Sequence, residues 1–224
     1  MVQTAIIIPA HNEAKSLGLT LQAIVKLKIK DSLVIVVDDG SSDNTGNIAL
    51  ANNALLLRHK VNLGKGAALK TGCEYALMQK FQTLVLMDAD TQHSPDEIPK
   101  FLQALKSVPV VIGIRSFSGE MPLVLKFGNW IITHSLYLLY NIRLDDVLCG
   151  YRAMTKEAYQ RIRWSSADYA VEVEMIARIG RCSLPYKTIK IKTVYADKYK
   201  GTTIFDGVKI VWSMFMFKFA KSGE

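Results

Sequence analysis

Short apolar runs alternate, along the first half of the chain, with segments whose apolar residues recur at helical spacing. The runs have the length of buried strands, which we predict at residues 5–8, 32–37, 55–58, 84–87 and 110–113. Helices are predicted between them, over residues 16–28, 44–53, 62–79 and 94–106. This alternation predicts an α/β fold with a mostly parallel sheet and right-handed crossovers.

The second half of the chain has a different pattern. Residues 121–140 form one long apolar segment, followed by predicted helices at 156–163 and 169–179 and a half-buried strand at 187–194. For residues 121–140, packing against the sheet or a second subunit and contact with a membrane stay equally open. Residues 203–220 gather aromatic side chains on one helical face beside lysines, which favours a membrane-surface helix.

Polar clusters follow three of the predicted strands, at residues 9–13, 38–41 and 88–90. The carboxyl ends of parallel strands meet at one edge of a sheet, where open α/β folds bind their ligands. A ligand with a base, a ribose and a diphosphate could span that edge. Loops at one edge are also the default for any α/β fold, so a purely structural role stays open.

Asp88 and Asp90 directly follow the apolar run at residues 84–87. Carboxylates at positions i and i+2 of an extended chain lie on the same side, where both can approach one divalent cation or the sugar-phosphate it carries. The alternative is that they simply end the strand in a turn, as aspartate often does.

Gly64, Lys65 and Gly66 are the nearest match to a phosphate loop, because the chain has neither G-x-G-x-x-G after its first strand nor G-x-x-x-x-G-K-[ST]. A helix N-terminal turn that carries an exposed lysine is an equally good interpretation. We include Lys65 among the residues expected to bind a nucleotide sugar.

Composition narrows the class of protein. The 224 residues, 50% of them hydrophobic, suffice for one substantial core, and the net charge of +8 favours anionic partners. The basic residues are dispersed and no stacking motif interleaves them, so we expect no nucleic-acid partner.

Three cysteines without metal-ligand spacing suit a reducing cytoplasm. We expect no signal peptide, and no membrane span because polar residues interrupt both apolar segments.

Seven motifs occur in order along nearly the whole chain: PAHNE, VVDDGSSDNT, NLGKGAAL, MDADTQHSPDEIPKFL, GIRSF, DDVLCGYRAM and VEVEMIARIG. Together they resemble glycosyltransferase family 2, and within it the dolichyl-phosphate mannose synthase and polyprenyl-phosphate glycosyltransferase group. The resemblance implies a single GT-A domain over residues 1–203, with a mostly parallel Rossmann-like sheet flanked by helices, and an amphipathic helix over residues 204–224. It also implies inverting transfer of a hexose from a nucleotide sugar, of the GDP-mannose or UDP-glucose type, usually to a lipid phosphate, with Mg²⁺ or Mn²⁺ as cofactor.

The same resemblance implies roles for individual residues. The nucleotide base and ribose would be bound by Pro9, His11, Glu13, Val37 and Asp39. The diphosphate-sugar and the metal would be held by Asp88, Ala89, Asp90 and Gln92. The acceptor side would comprise Arg115, Lys126, Asp146, Gly150, Tyr151, Arg152, Glu174 and Lys198. The residues expected to carry the catalysis are Asp90, Arg115, Asp146 and Arg152.

The chemistry of sugar transfer suits these roles. A metal held by Asp90 would stabilise the charge on a departing nucleoside diphosphate. Arg115 or Arg152 could grip a phosphate at two points. A lipid phosphate is already an anion and needs positioning, whereas a hydroxyl acceptor needs a general base, for which Asp146 is the candidate.

Departures from the family pattern leave the acceptor more open than the donor. The family often has tyrosine in place of His11, and residues 198–204 lack the lysine that follows the serine-like position. Lys126 stands alone where lipid-phosphate enzymes tend to be rich in arginine. The alternatives are a hydroxyl acceptor on a glycan or small polyol, and a catalytically silent nucleotide-sugar-binding protein. We expect a cytoplasmic protein, peripheral at the membrane face, with a membrane-protein partner or a homo-oligomer as further options.

Overall fold

The computed structural model describes residues 3–115, 123–168 and 170–192. In those ranges the strands are β1 Thr4–Ala10, β2 Ser32–Asp38, β3 Leu55–Arg58, β4 Thr83–Leu86, β5 Val110–Arg115, β6 Arg152–Thr155 and β7 Tyr186–Ile191. The helices are α1 Leu17–Lys26, α2 Thr45–Ala51, α3 Lys65–Met78, α4 Ile98–Ala104, α5 Leu123–Tyr140, α6 Lys156–Ile162 and α7 Val171–Arg181. The strands form one sheet in the order β3-β2-β1-β4-β6-β5-β7.

The centre of the sheet confirms the predicted α/β fold. β1 pairs in parallel with β2 on one side, where Thr4 faces Ser32, and with β4 on the other, where Thr4 faces Thr83. The isoleucines of β1 are completely buried. A parallel strand covered on both faces needs apolar residues at every position, which explains the unbroken run in the sequence.

β6 is a strand that the sequence pattern did not predict. It runs antiparallel to both of its neighbours, with Arg152 opposite Leu86 of β4 and Ile112 of β5. The amino end of β6 therefore lies at the edge where β4 and β5 end. As a result, the segment that precedes β6 lies beside the end of β4, at the carboxyl edge of the sheet where a ligand crevice is expected.

Helices cover both faces of the sheet. On one face α3, α5, α6 and α7 contribute to a core that includes Ile7, Leu69 and Leu86. On the other face α1, α2 and α4 contribute to a core that includes Ile8 and Phe101. Because successive residues of β1 point to opposite faces, Ile7 and Ile8 fall in different cores.

Among the described residues of α5, some are buried against the protein and others are exposed. Ile132, Leu136 and Tyr140 are buried in the first core, whereas Trp130 is 56% exposed and Leu138 is 69% exposed. No helix in the described part of the chain is long and apolar enough to cross a membrane. The predicted helix over residues 204–224 lies outside the described residues.

Candidate active site

The crevice begins where β1 and β2 end. Pro9 lies opposite Val37 in the β1–β2 ladder, and the backbone N–H of Asp39 donates to the carbonyl oxygen of Ala10 at 2.8 Å. His11 is exposed, and its Nδ1 lies 2.9 Å from the backbone oxygen of Asp39. The structure therefore brings these four predicted nucleotide-binding residues together on one wall.

The Asp39 carboxylate already holds three groups of the protein. Its Oδ1 accepts the backbone N–H of Leu63 at 2.9 Å and lies 2.6 Å from His59 Nδ1, and its Oδ2 accepts the N–H of Gly64 at 2.8 Å. His59 Nε2 in turn lies 2.9 Å from Thr71 Oγ1. Asp39 thus fixes the loop between β3 and α3 against the end of β2.

The other residues predicted to bind the donor differ in how far their side chains are accessible to a ligand. Glu13 donates its backbone N–H to Thr45 Oγ1 at 2.9 Å, and its carboxylate accepts the hydroxyl of Ser16. Glu13 remains partly exposed, so it can still meet a ligand. Val37 and Ala89 are buried, which limits their side chains to packing.

Asp88, just after β4, is paired with a lysine from the start of α3. Lys65 Nζ lies 2.7 Å from Asp88 Oδ1 and 2.7 Å from Glu172 Oε1 on α7. Burial acts to lower the pKa of Lys65, but the two carboxylates outweigh it and raise that pKa above its ordinary value. Burial acts to raise the pKa of Asp88, but Lys65 and His93 hold it below its ordinary value. The ion pair therefore stays charged at neutral pH.

The glycines on either side of Lys65 have a packing role. A Cβ on Gly64, whose φ is 97°, would lie 2.4 Å from the carbonyl oxygen of Ala167, and one on Gly66 would lie 2.2 Å from that of Ser166. Only glycine lets α3 begin this close to the segment that contains Ser166 and Ala167. Lys65 itself is not the exposed lysine of the alternative interpretation, because only 16% of its side chain is exposed.

Gly150 lies against the Lys65–Asp88 pair. A Cβ at this position would come within 2.7 Å of Asp88 Oδ2 and 2.8 Å of Lys65 Nζ. The segment before β6, predicted for the acceptor side, therefore touches the carboxylate predicted for the donor side. A side chain at position 150 would have to displace one partner of the ion pair.

Asp90 offers a carboxylate that suits a hard cation. Its Oδ1 accepts the backbone N–H of Gln92 at 3.0 Å, and burial together with the Asp88 charge raises its pKa. A carboxylate crowded by a like charge gains from a bound cation. No three His, Cys, Asp or Glu side chains in the described ranges cluster to cage a metal. This donor set fits Mg²⁺ or Mn²⁺ bound through one or two carboxylates, water and substrate phosphates.

His93 is a site residue that the motif analysis did not single out. It is buried, with Nδ1 3.8 Å from Asp88 Oδ2 and Nε2 3.8 Å from Cys149 Sγ. Burial lowers its pKa, which favours the neutral ring. The sequence signal was a histidine five residues after the first acid of the pair, but nothing in the pattern showed that it is buried.

Arg115 and Asp146, both predicted for the acceptor side, form an ion pair. Arg115 ends β5 and donates from Nε to Asp146 Oδ2 at 2.7 Å and from Nη2 to Asp146 Oδ1 at 2.9 Å. The backbone N–H of Arg115 also donates to Asp146 Oδ2, at 3.1 Å. Asp146 is buried, and Arg115 keeps 24% of its side chain exposed. Asp146 therefore orients the guanidinium at the mouth of the crevice.

Arg152 does not occupy the position expected of a phosphate-binding arginine. It is 1% exposed, and its guanidinium donates to the carbonyl oxygens of Val147, Cys149 and Glu172 at 2.9, 3.1 and 2.7 Å. A side chain buried among carbonyl groups organises the backbone instead of contacting a ligand. The expected catalytic contact by Arg152 is corrected accordingly.

Tyr151 and Glu174 are also buried instead of lining the acceptor side. Tyr151 stacks on Phe101 with 4.5 Å between ring centroids. Glu174 accepts the backbone N–H groups of Ser165 and Ser166 and pairs with Arg178 Nε at 2.7 Å. Both side chains therefore have structural partners within the protein. Of the remaining acceptor-side predictions, Lys126 lies in α5 and Lys198 lies outside the described residues.

Comparison with known proteins identifies the class. The profile of glycosyl transferase family 2 matches residues 5–163. The chain therefore belongs to this family and is a glycosyltransferase. Its fold is GT-A-like: glucosyl-3-phosphoglycerate synthase of Mycobacterium tuberculosis, solved with Mn²⁺, UDP-glucose and phosphoglyceric acid, superposes with a TM-score of 0.76 at 17% identity, over 99% of this chain and 81% of that one.

Two curated relatives are similar over most of their length. The undecaprenyl-phosphate mannosyltransferase of Micrococcus luteus is 30% identical, over 90% of this chain and 86% of that protein. The UDP-N-acetylglucosamine–dolichyl-phosphate N-acetylglucosaminyltransferase of Methanococcus voltae is 29% identical, over 96% of both. The two names agree on a polyprenyl-type phosphate acceptor and differ in the sugar.

Proposed function

We propose that this protein transfers a hexose, with inversion, from a nucleotide sugar to a polyprenyl phosphate at a membrane surface. The observation that carries the proposal is the contact at Gly150. It sets the Asp88–Lys65 pair of the donor side against the loop of Asp146, whose carboxylate pairs with Arg115 at the end of β5. Two polyprenyl-type phosphate transferases among the relatives support the acceptor class.

The donor would lie along the carboxyl edge of the sheet. His11 and Glu13 meet the nucleoside end, and Lys65 and Asp88 meet the diphosphate and the sugar. Asp90 and Gln92 would hold Mg²⁺ or Mn²⁺, which when bound offsets the negative charge of the departing nucleoside diphosphate. Because Lys65 lies between two carboxylates, its ammonium stays protonated and can donate a hydrogen bond to the same diphosphate.

The acceptor phosphate would bind at Arg115. A phosphate oxygen attacks the anomeric carbon from the face opposite the diphosphate; a new carbon–oxygen bond forms there as the bond to the nucleoside diphosphate breaks. The phosphate is already anionic, so no group has to remove a proton. Asp146 is occupied by Arg115 through three hydrogen bonds, which leaves it poorly suited as the general base that a hydroxyl acceptor needs.

A membrane surface would lie against the exposed face of α5. Trp130 stacks on His134 along this face, and Arg143, just beyond the helix, lies over the Tyr137 ring at 4.7 Å. Exposed aromatic side chains beside a cation are typical of a protein face that meets anionic lipid headgroups. The proposal places the protein on the cytoplasmic face of the membrane, as a peripheral protein.

The test is a donor screen. Purified protein receives polyprenyl phosphate in detergent, Mg²⁺ or Mn²⁺, and radiolabelled GDP-mannose, UDP-glucose or UDP-N-acetylglucosamine in parallel reactions. We expect label from one donor to enter the lipid phase, to be lost with Asp90→Ala, and to persist with Asp96→Ala, an exposed acid of the same segment. No lipid product from any donor, with transfer to a hydroxyl compound instead, would overturn the proposed acceptor.

A further inference from the structure

Glu172 contacts residues from both sides of the candidate site, although it lies on α7 and not in a loop at the carboxyl edge of the sheet. It sits in the first turn of α7 and is buried. Its Oε1 lies 2.7 Å from Lys65 Nζ, which is itself 2.7 Å from Asp88 Oδ1. Its carbonyl oxygen accepts Nη1 of Arg152 at 2.7 Å. Residue 172 therefore contacts the donor-side lysine through its side chain and, through its backbone, the Arg152 side chain that also holds the loop before β6.

A buried carboxylate needs this kind of compensation. An ionised group without a partner in a protein interior is strongly unfavourable, so Glu172 depends on Lys65. The dependence is mutual, because Lys65 has a long flexible side chain that one carboxylate alone would hold in several geometries. Two carboxylates at 2.7 Å define a single position for the ammonium.

Within the described ranges, two of the three N–H groups of the Lys65 ammonium have partners, Asp88 and Glu172. The third N–H is then left for a ligand. The Lys65 side chain is 16% exposed, at the wall where Gly150 packs against Asp88. A donor phosphate oxygen in the crevice can accept the third N–H.

We propose that Glu172 is a positioning residue for sugar transfer: it fixes the Lys65 ammonium against Asp88 so that the third N–H meets the diphosphate of the donor. This inference rests on the proposed function for the identity of the reaction. Glu172 itself touches no substrate. It acts entirely through Lys65.

The first test measures donor affinity and turnover for Glu172→Gln in the full chain. We expect the Kd for the nucleotide sugar to rise, and kcat/KM for it to fall, by about 10- to 100-fold, the usual effect of losing a partner that orients a ligand-binding group. The KM for the lipid phosphate is expected to stay within about twofold of wild type. Glu74→Gln is the control, because Glu74 also pairs with a cation, Arg163, but lies away from the crevice.

The second test repeats the substitution in a Lys65→Met background. If Glu172 acts through Lys65, Glu172→Gln adds no further loss of donor affinity there. Equal losses in the two backgrounds would show a general structural role and overturn the inference, as would wild-type affinity in the single variant. Glu172→Asp keeps the charge and shortens the reach, so it should show the same dependence on Lys65 with a smaller loss, even if Glu172→Gln folds poorly.

Donor binding, measured by calorimetry without acceptor, separates this inference from the proposed function. A wild-type protein that binds a nucleotide sugar but glycosylates no lipid phosphate would contradict the proposed acceptor. The Kd values of the single and double variants would then still decide the role of Glu172. A thermal unfolding curve for each variant confirms that the comparison is made on folded protein.

Discussion

The guanidinium of Arg115 meets the carboxylate of Asp146 side-on, with Nε 2.7 Å from Oδ2 and Nη2 2.9 Å from Oδ1. Two parallel hydrogen bonds fix the plane of the guanidinium as well as its position. β5 supplies the arginine and the loop before β6 supplies the aspartate, so the pair depends on the antiparallel strand that brings these segments together.

Arg115→Lys tests whether that fixed plane matters. Lysine keeps the charge but cannot make the two-point contact, so kcat/KM for polyprenyl phosphate should fall by about 10- to 100-fold, the equivalent of one charge-assisted hydrogen bond. Arg163→Lys, in the half-exposed pair with Glu74, should change it by less than about twofold. Equal effects of the two substitutions in a steady-state assay would refute a specific role for Arg115.

Gly150→Ala tests the contact between the two sides of the site. The new Cβ would lie 2.7 Å from Asp88 Oδ2 and 2.8 Å from Lys65 Nζ, so it must separate that pair. We expect turnover to fall at least about tenfold. The control is Gly18→Ala on α1, where the nearest side-chain atom would be 3.5 Å away. That variant should keep wild-type turnover and gain up to about 1 kcal/mol in stability.

Glu174 predicts a pH dependence of folding. Burial acts to raise its pKa, but hydrogen bonds from Ser166 and Ser165 and the Arg178 guanidinium hold the pKa below its ordinary value. The ionised Glu174 carboxylate therefore stabilises the folded state fully above its unfolded-state pKa of about 4.3. This contribution is lost as the pH falls through the lower folded-state pKa.

Urea unfolding of Glu174→Gln checks this prediction. The variant should lose about 1–3 kcal/mol of the free energy of unfolding at pH 7, and the difference from wild type should shrink below about pH 4. Glu157→Gln, at a largely exposed position, should show no such dependence. A difference for Glu174→Gln that is constant from pH 7 to pH 3 would contradict the prediction.

The exposed face of α5 predicts membrane binding. In co-sedimentation with vesicles containing anionic lipid, the double variant Trp130→Ser/Leu138→Ser should bind at least about tenfold more weakly, because each apolar side chain contributes about 1.5–3 kcal/mol when buried. Leu19→Ser/Val25→Ser is the matched control, since these α1 residues are 64% and 62% exposed. Equal weakening by both pairs would argue against α5 as the contact.

The regular half of the fold was predictable from local pattern, and the antiparallel strand was not. β1, β2 and β4 read as unbroken apolar runs because both faces of each strand are covered. β6 has only four residues, Arg152 among them, and its partners β4 and β5 lie far away in the sequence. Neither its length nor its composition distinguishes it from a loop.

The candidate site was predictable in residue type more than in orientation. From the motifs, Asp88, Asp90, Arg115 and Asp146 could be expected at one edge of the sheet. A motif does not show which way a side chain points, and Arg152 points into the protein. Glu172 carried a signal, because an acid in an apolar helix face needs a buried partner. Lys65 was already a candidate for the donor site, but the sequence could not show that it, among 28 lysines and arginines, is the partner of Glu172. The ligand roles of the site residues stay predictions.

The proposed transfer to a lipid phosphate is tested most directly by the mass spectrum of the lipid product. Purified protein with its preferred donor and a divalent cation is given polyprenyl phosphate in one reaction and the same polyprenol without phosphate in another. We expect a hexose to be added to the phosphate-bearing lipid alone, in an amount strongly reduced for Arg115→Lys. A hexose added to the free alcohol, or equal products from both lipids, would contradict it.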